Sequence, residues 1–297
     1  MTSINQLGIL KMEQNNKLLL ELCADRAENT KEKFTPNDFY GNASVLKSYC
    51  HLNQDFPLNG IVPHGIYTNP NYVWPIELGA RMNKVYPPNR YHDLIYRLSG
   101  KTQIVPIGSP FLYALNILKK KGVSFPHRQG TIVFVAHSTH HIDVNYDIEL
   151  FIKFLQKLPK LFSPIFICVY WKDILRGKHL KYLHSGFSCI SAGHMFSNKF
   201  LFQLIRLMAS RKYCIATSYG TNCLYASHMG LKTYIHGIRS TSSAYLNDDK
   251  ELDLVTDYKK ISSNLNFCNH SNQKLIADKL LGATHYKSKE ELLSEFT

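Results

Sequence analysis

At 297 residues, with 44% hydrophobic and 19% charged side chains, the chain holds enough apolar material for one large core or two ordinary ones, which excludes large-scale disorder. Lysine and arginine number 35 against 22 acidic residues, and the resulting +13 favours anionic partners: nucleotides, anionic polysaccharides or phospholipid headgroups. No apolar run reaches the roughly 18 residues of a membrane span, and no RNP, zinc-finger or KH signature accompanies the charge, so spanning helices and nucleic-acid binding are set aside.

Residues 1–33 read as a helix with polar ends, an arm or an oligomer contact. Their LLLEL stretch is too short for a signal-peptide core, so the expected compartment is the cytoplasm. The dispersed basic residues add an expected attraction to the inner face of the cell membrane. A helix is expected over Ala43–Cys50. GIVPHG (60–65) then reads as a short buried strand that delivers His64 to a Pro- and Asn-rich loop. HDLIYRLSG (92–100) has helical spacing, QIVPIGSP (103–110) reads as a strand, and FLYALNILKKKG as a helix ended by Gly.

From Thr131 the pattern becomes regular. TIVFVA, PIFICVYW, FSCISAG, KYCIATS and KTYIHG are apolar runs of strand length, and IELFIKFLQKL, KFLFQLIRLMAS and TNCLYASHMG are helices between them. Strands apolar throughout that alternate with helices predict a parallel sheet covered on both faces, in a doubly wound, Rossmann-like α/β domain. Residues 238–272, rich in Ser, Asn and Asp, read as a long loop. NQKLIADKLLG and SKEELLSEF then supply two amphipathic helices, the latter with a Ser288–Glu291 capping box. The seven cysteines lack a CxxC pair and most sit in apolar contexts, as free thiols do.

Ligands of such sheets bind beyond the carboxyl ends of the strands. That rule selects HSTHHID, Lys172-Asp173, Gly193-His194 and SYGTN, all polar segments flanked by apolar runs. In SYGTN, Ser218, Gly220, Thr221 and Asn222 open a helix, whose free N–H groups and dipole favour a phosphate. Plain capping by Ser218 or Thr221 is the competing reading. His137, Ser138, Thr139 and His140 read as contacts to a donor's phosphates or sugar, with helix capping or metal ligation as alternatives. No clean HxH or HExxH spacing is present, and no metal is assigned. Lys172 is a candidate to neutralise a phosphate. Asp173 is a candidate to accept from sugar hydroxyls or act as a base, against a plain surface ion pair or helix start for the two residues. His194 is a candidate phosphate or nucleobase contact, against a satisfied structural histidine. His64, outside this half, is the preferred base toward an acceptor hydroxyl, with Asp173, Asp143, Asp93 and Glu77 as competitors.

With these tips in place the layout resembles the two-domain GT-B glycosyltransferases, most closely over Thr131–Gly237 and within TSYGTNCLYASHMGLKTYIHG. It is also similar to bacterial enzymes that build capsule or lipopolysaccharide chains, some of them CMP-sugar users. The resemblance implies two Rossmann-like halves, an acceptor side (1–125) with a helical arm and a nucleotide-sugar side (126–297). It gives Ser218 and Thr221 the role of a Ser/Thr pair on the phosphate, and His194 or His137 that of the family's phosphate-holding histidine. Gly193-His194-Met195 stands where many CMP-sugar enzymes carry His-Pro. The expected activity is metal-independent glycosyl transfer from a nucleotide-sugar, with no cofactor, onto a glycan or lipid-linked glycan in surface-polysaccharide synthesis. The alternatives are a nucleotide-sugar epimerase or hydrolase of the same fold, or a non-catalytic sugar-nucleotide-binding partner.

Overall fold

A computed structural model describes residues 2–28, 31–124, 128–138, 144–238, 241–242, 251–267 and 269–297. In chain order the helices are α1 (Thr2–Leu22), α2 (Asn42–Cys50), α3 (Pro75–Gly79), α4 (Asp93–Leu98), α5 (Pro110–Lys120), α6 (Ile148–Gln156), α7 (Trp171–Leu175), α8 (Leu180–His184), α9 (Phe200–Ala209), α10 (Thr221–His228), α11 (Asp253–Ser262), α12 (His270–Leu280) and α13 (Lys289–Phe296). The strands are β1 (Lys84–Val85), β2 (Gln103–Ile104), β3 (Thr131–Phe134), β4 (Val144–Asn145), β5 (Ile165–Cys168), β6 (Ser188–Ile190), β7 (Tyr213–Ala216), β8 (Lys232–Ile235) and β9 (Thr241–Ser242).

The main sheet has five parallel strands in the order β6-β5-β3-β7-β8. Thr131 of β3 is in register with Ile165 on one side and Tyr213 on the other. The chain winds outward from β3 through β5 to β6, then returns across β3 to β7 and β8. β3 is therefore the point where the winding reverses, and the loops after β3 and β7 flank a crevice at their carboxyl ends. The expected α/β class and its parallel sheet are present.

Alternation along β3 explains why both faces need cover. Ile132 and Phe134 join a core with α2, α5, α9 and α10 (Leu46, Phe111, Leu204, Leu224). Val133 and Val135 join a second core with α6, α7 and α8 (Phe151, Ile174, Leu183). Each fully buried aliphatic or aromatic side chain contributes roughly 1.5–3 kcal/mol of transfer free energy. Because the first core takes in α2 and α5, the N-terminal elements are cemented to the sheet by continuous apolar packing.

The N-terminal half carries its own small parallel sheet, β1 beside β2, with Ile61 bridging Val85 on the far side. GIVPHG is thus extended at Ile61, and the chain emerges from it at His64. The chain ends cross between halves. α1 lies against edge strand β6, where the Asn15 amide donates to Cys189 O (3.1 Å) and accepts from Cys189 N (3.3 Å). That pairing satisfies backbone groups an edge strand leaves open. α13 packs against the N-terminal half, where Tyr86 OH and Asn59 Nδ2 both donate to Glu295 O. The expected Ser288–Glu291 capping box is formed. The crossing passes Gly282, at φ +68°, where a Cβ would lie 1.7 Å from Pro88 O, so only glycine fits.

Two expectations need correction. Residues 238–272 are not all loop: Asp253–Ser262 forms α11, burying Val255 and Tyr258 on one face. The Tyr258 hydroxyl also donates to Cys223 O on α10 (2.8 Å), so a polar-looking segment is held by few but central contacts. Lys172 and Asp173 lie in α7, the helix start that was the alternative to a ligand-facing strand tip. Among the described residues the cysteines are free and buried, and no helix is long and apolar enough to cross a membrane.

Candidate active site at the sheet's winding reversal

The carboxyl ends of β3, β5 and β7 open into a cavity of about 450 Å³, closed on its other side by Tyr40, Asn42 and His64–Tyr67 of the N-terminal half. That volume lies in the range of small-molecule sites.

His64 is set by the N-terminal half's buried polar network. Its Nδ1 lies 3.3 Å from Glu77 Oε1, and the imidazole packs on Trp74 with ring centres 4.6 Å apart. Glu77 is 1% exposed, and it accepts from Tyr67 OH (2.5 Å) and Tyr96 OH (2.8 Å). Burial and the adjoining carboxylate hold both phenols well above their ordinary pKa, so both stay protonated and donate. A carboxylate facing Nδ1 fixes the tautomer with the proton there, leaving Nε2 as an acceptor.

Opposite stands the β7–α10 turn. Ser218, Tyr219, Gly220, Thr221 and Asn222 all line the cavity. The α10 N-terminus has no side-chain cap: the Thr221 hydroxyl instead accepts from Ile66 N (3.3 Å), and Asn222 Oδ1 accepts from Cys223 N (3.0 Å). The competing reading of Ser218 or Thr221 as a plain helix cap does not describe this turn. Thr221 thus links the two halves across the cavity, as does Tyr40, whose hydroxyl lies 3.4 Å from that of Tyr170.

His137 lines the same cavity with its ring stacked on Tyr170, centres 4.3 Å apart. It is open to the cavity yet ringed by protein, and that burial lowers its pKa against the smaller opposing pull of Asp173, favouring a neutral imidazole. Burial holds the Tyr170 phenol above its ordinary value. Thr217 at the end of β7 ties the two loops, its hydroxyl accepting from Ala136 N (2.7 Å).

The remaining expected residues divide. Gly193 lines the cavity at φ +89°. His194 does not line it: it is fully buried, Nδ1 accepts from Phe196 N (3.2 Å), Nε2 lies 3.2 Å from Asp25 Oδ1, and Trp171 packs 3.9 Å away. Ser138 and Asp173 are likewise away from the lining. Asp173 accepts from Ser138 N (2.9 Å) and pairs with Lys178 (3.1 Å), whose Nζ donates to Ser138 Oγ (2.9 Å) and Val144 O (2.9 Å). This network anchors the loop after β3, so Asp173 holds backbone where a base toward substrate was expected. Lys172 also lies outside the lining. Thr139 and His140 fall outside the described residues, as do His141 and Asp143. Tyr40, Asn42, Tyr67 and Tyr170 were not singled out from sequence, because nothing local marks these side chains as cavity-facing.

No protein-family model and no curated protein matches the chain. Among solved structures it is similar to a chain of the S. aureus MnaA–UDP co-structure, at 13% identity and a TM-score of 0.38, over 97% of this chain and 76% of that one.

Proposed function

We propose that the protein is a GT-B-like glycosyltransferase that moves a sugar from a nucleotide-sugar donor to a hydroxyl of a glycan or lipid-linked glycan acceptor, in bacterial surface-polysaccharide synthesis. The observation that carries this reading is one cavity lined by both the His64–Tyr67 segment, with Glu77 behind it, and the side-chain-uncapped start of α10. In this account the donor's phosphate sits on the Ser218–Asn222 turn, where helix N–H groups and the dipole favour negative charge. His64 Nε2 takes the proton of the acceptor hydroxyl as that oxygen bonds to the anomeric carbon. The bond from that carbon to the phosphate oxygen breaks, and the nucleotide departs with the electron pair. Glu77 steadies the imidazolium that forms. The turn and the neutral His137 stabilise charge on the leaving phosphate, while Tyr67 stays bonded to Glu77 on the opposite wall.

One feature also supports epimerisation or hydrolysis of a nucleotide-sugar. The Ile66–Thr221 contact draws the halves together around about 450 Å³, a volume suited to a single ligand. Incubation with CMP-, UDP-, GDP- and CDP-linked sugars, with and without glycan acceptors, separates the readings by product mass. Glycosylated acceptor, and turnover lost in His64→Ala with donor affinity kept, is the expected result. Free sugar or an epimer formed without acceptor replaces transfer by the second reading. Donor binding without any turnover across the acceptor panel removes catalysis altogether.

A further inference from the structure

Helix α4 is turned with its polar hydroxyl inward and its leucines outward. Tyr96 is buried with its hydroxyl on Glu77, and Ile95 packs on the N-terminal core, which fixes the helix rotation. Leu94 and Leu98, one turn apart, are 70% and 78% exposed, the most exposed large hydrophobics among the described residues. Tyr91, three positions before Leu94, extends the same side and is 38% exposed. Arg90 and Arg97 are exposed on either side of Leu94, and Arg81 is exposed nearby in sequence. Of the basic side chains in residues 81–101, Arg81, Arg90 and Arg97 are exposed, Arg90 pairing Asp93 at 3.0 Å, whereas Lys84 pairs Glu295 at 3.0 Å and Lys101 is buried. Beside Arg90 opens a cleft of about 400 Å³, lined also by His285 and Lys287. Its carboxylate, Glu291, is committed to the Ser288 N–H (2.7 Å).

We infer that the Tyr91–Leu94–Leu98 ridge and the cleft beside it form the face by which the protein docks on an anionic bilayer. Leucines on a short helix reach the acyl boundary, and flanking arginines stay at headgroup level, where negative surface potential attracts them. The cleft places Arg90 and Lys287 at headgroup level, paired at rest with Asp93 (3.0 Å) and Glu295 (3.9 Å), and a headgroup phosphate competes with those carboxylates. Charge complementarity selects this occupant: exposed Arg81, Arg90 and Arg97 near the exposed leucines match an anionic lipid surface. Behind the helix, Tyr67, which lines the cavity, packs on the buried His92 with ring centres 5.7 Å apart. The inference stands on this surface and does not depend on the reaction proposed above.

The test is flotation of the full-length protein with vesicles of phosphatidylcholine alone or with 30% phosphatidylglycerol, for wild type, Leu94→Ser/Leu98→Ser and Arg97→Gln. Wild type should float with the anionic vesicles only and be released by about 0.5 M salt. The double leucine variant should lose about tenfold or more in partitioning, and Arg97→Gln a smaller, salt-dependent part, with melting temperatures unchanged. Wild type that ignores anionic vesicles, or leucine variants that float as well as wild type, would overturn the assignment. A wild-type dimer that the leucine changes convert to monomer, without vesicle binding, would assign the ridge to a second copy instead.

Discussion

Replacing Glu77 by Gln preserves the side chain's volume and removes its charge, which isolates what the carboxylate does for His64. Glu77 faces Nδ1 at 3.3 Å and accepts from two tyrosine hydroxyls in a site almost closed to solvent. At an effective dielectric of about 20, a full charge at that distance stabilises an imidazolium by at most about 5 kcal/mol. A positioned general base contributes about 10²–10⁴-fold to rate, so removing the group that orients His64 should lower kcat by about 10²-fold. Donor affinity should barely move, since Glu77 does not touch the β7–α10 turn. The assay pairs product formation under saturating donor with calorimetric donor binding. Wild-type turnover in Glu77→Gln, or a loss confined to donor affinity, would refute the assignment of His64 as the base.

Other perturbations test neighbouring parts of the structure. Thr221→Val leaves Ile66 N–H without its acceptor and should weaken donor binding about tenfold, with a melting temperature within a few degrees of wild type; unchanged donor affinity would remove the turn from the site. Lys47→Ala strands the carboxylate of Glu32, buried with it and bonded to Leu58 N, and should cost about 3–5 kcal/mol. At this chain length that means a melting temperature lower by roughly 10 °C, whereas a shift under about 2 °C would contradict the buried pair. Burial lowers the imidazole pKa of His92, His137, His179 and His228, so below about 6.5 the unfolded chain takes up protons before the folded one. Stability present above that pH is therefore lost as pH falls toward 5. Asp38, pushed up to about 6 by burial and the nearby Glu32 carboxylate, opposes this below pH 6, but as one group against several. Thermal melts should show a lower melting temperature at pH 5 than at pH 7.5, and a flat or rising profile would show the histidines to be solvated.

The parallel sheet was legible because β3, β5 and β7 combine apolar, β-branched runs with polar tips, a pattern set by burial on both faces and needing no distant partner. The SYGTN turn was legible for the same local reason: a strand end, glycine and a helix start share a few residues. Helix α11 was missed because its segment is polar except for a narrow stripe around Val255 and Tyr258, and composition averaged over 238–272 hides such a stripe. His194 and Asp173 were misplaced for a different reason. Both follow buried strands, yet whether a polar residue there faces ligand or backbone depends on groups far away, Asp25 for His194 and Lys178 for Asp173. Glu77 stood only as one competing base, since its orienting partners Tyr67 and Tyr96 are brought to it by the N-terminal fold. The cavity itself, built by two halves meeting at Ile66 and Thr221, has no signature in either segment alone.

The central claim is that the crevice at the winding reversal, between His64 and the α10 N-terminus, binds a nucleotide-sugar. A thermal-shift titration of wild type with nucleotide-linked sugars tests it most directly, because a ligand that binds only the folded state stabilises it by about 2.7 kcal/mol at a hundredfold excess over Kd. The account predicts a saturable rise of several degrees for one nucleotide class, abolished when Gly220 is changed to Trp to fill the turn. No shift with any nucleotide-sugar at millimolar concentration, or a shift that survives Gly220→Trp, would contradict it.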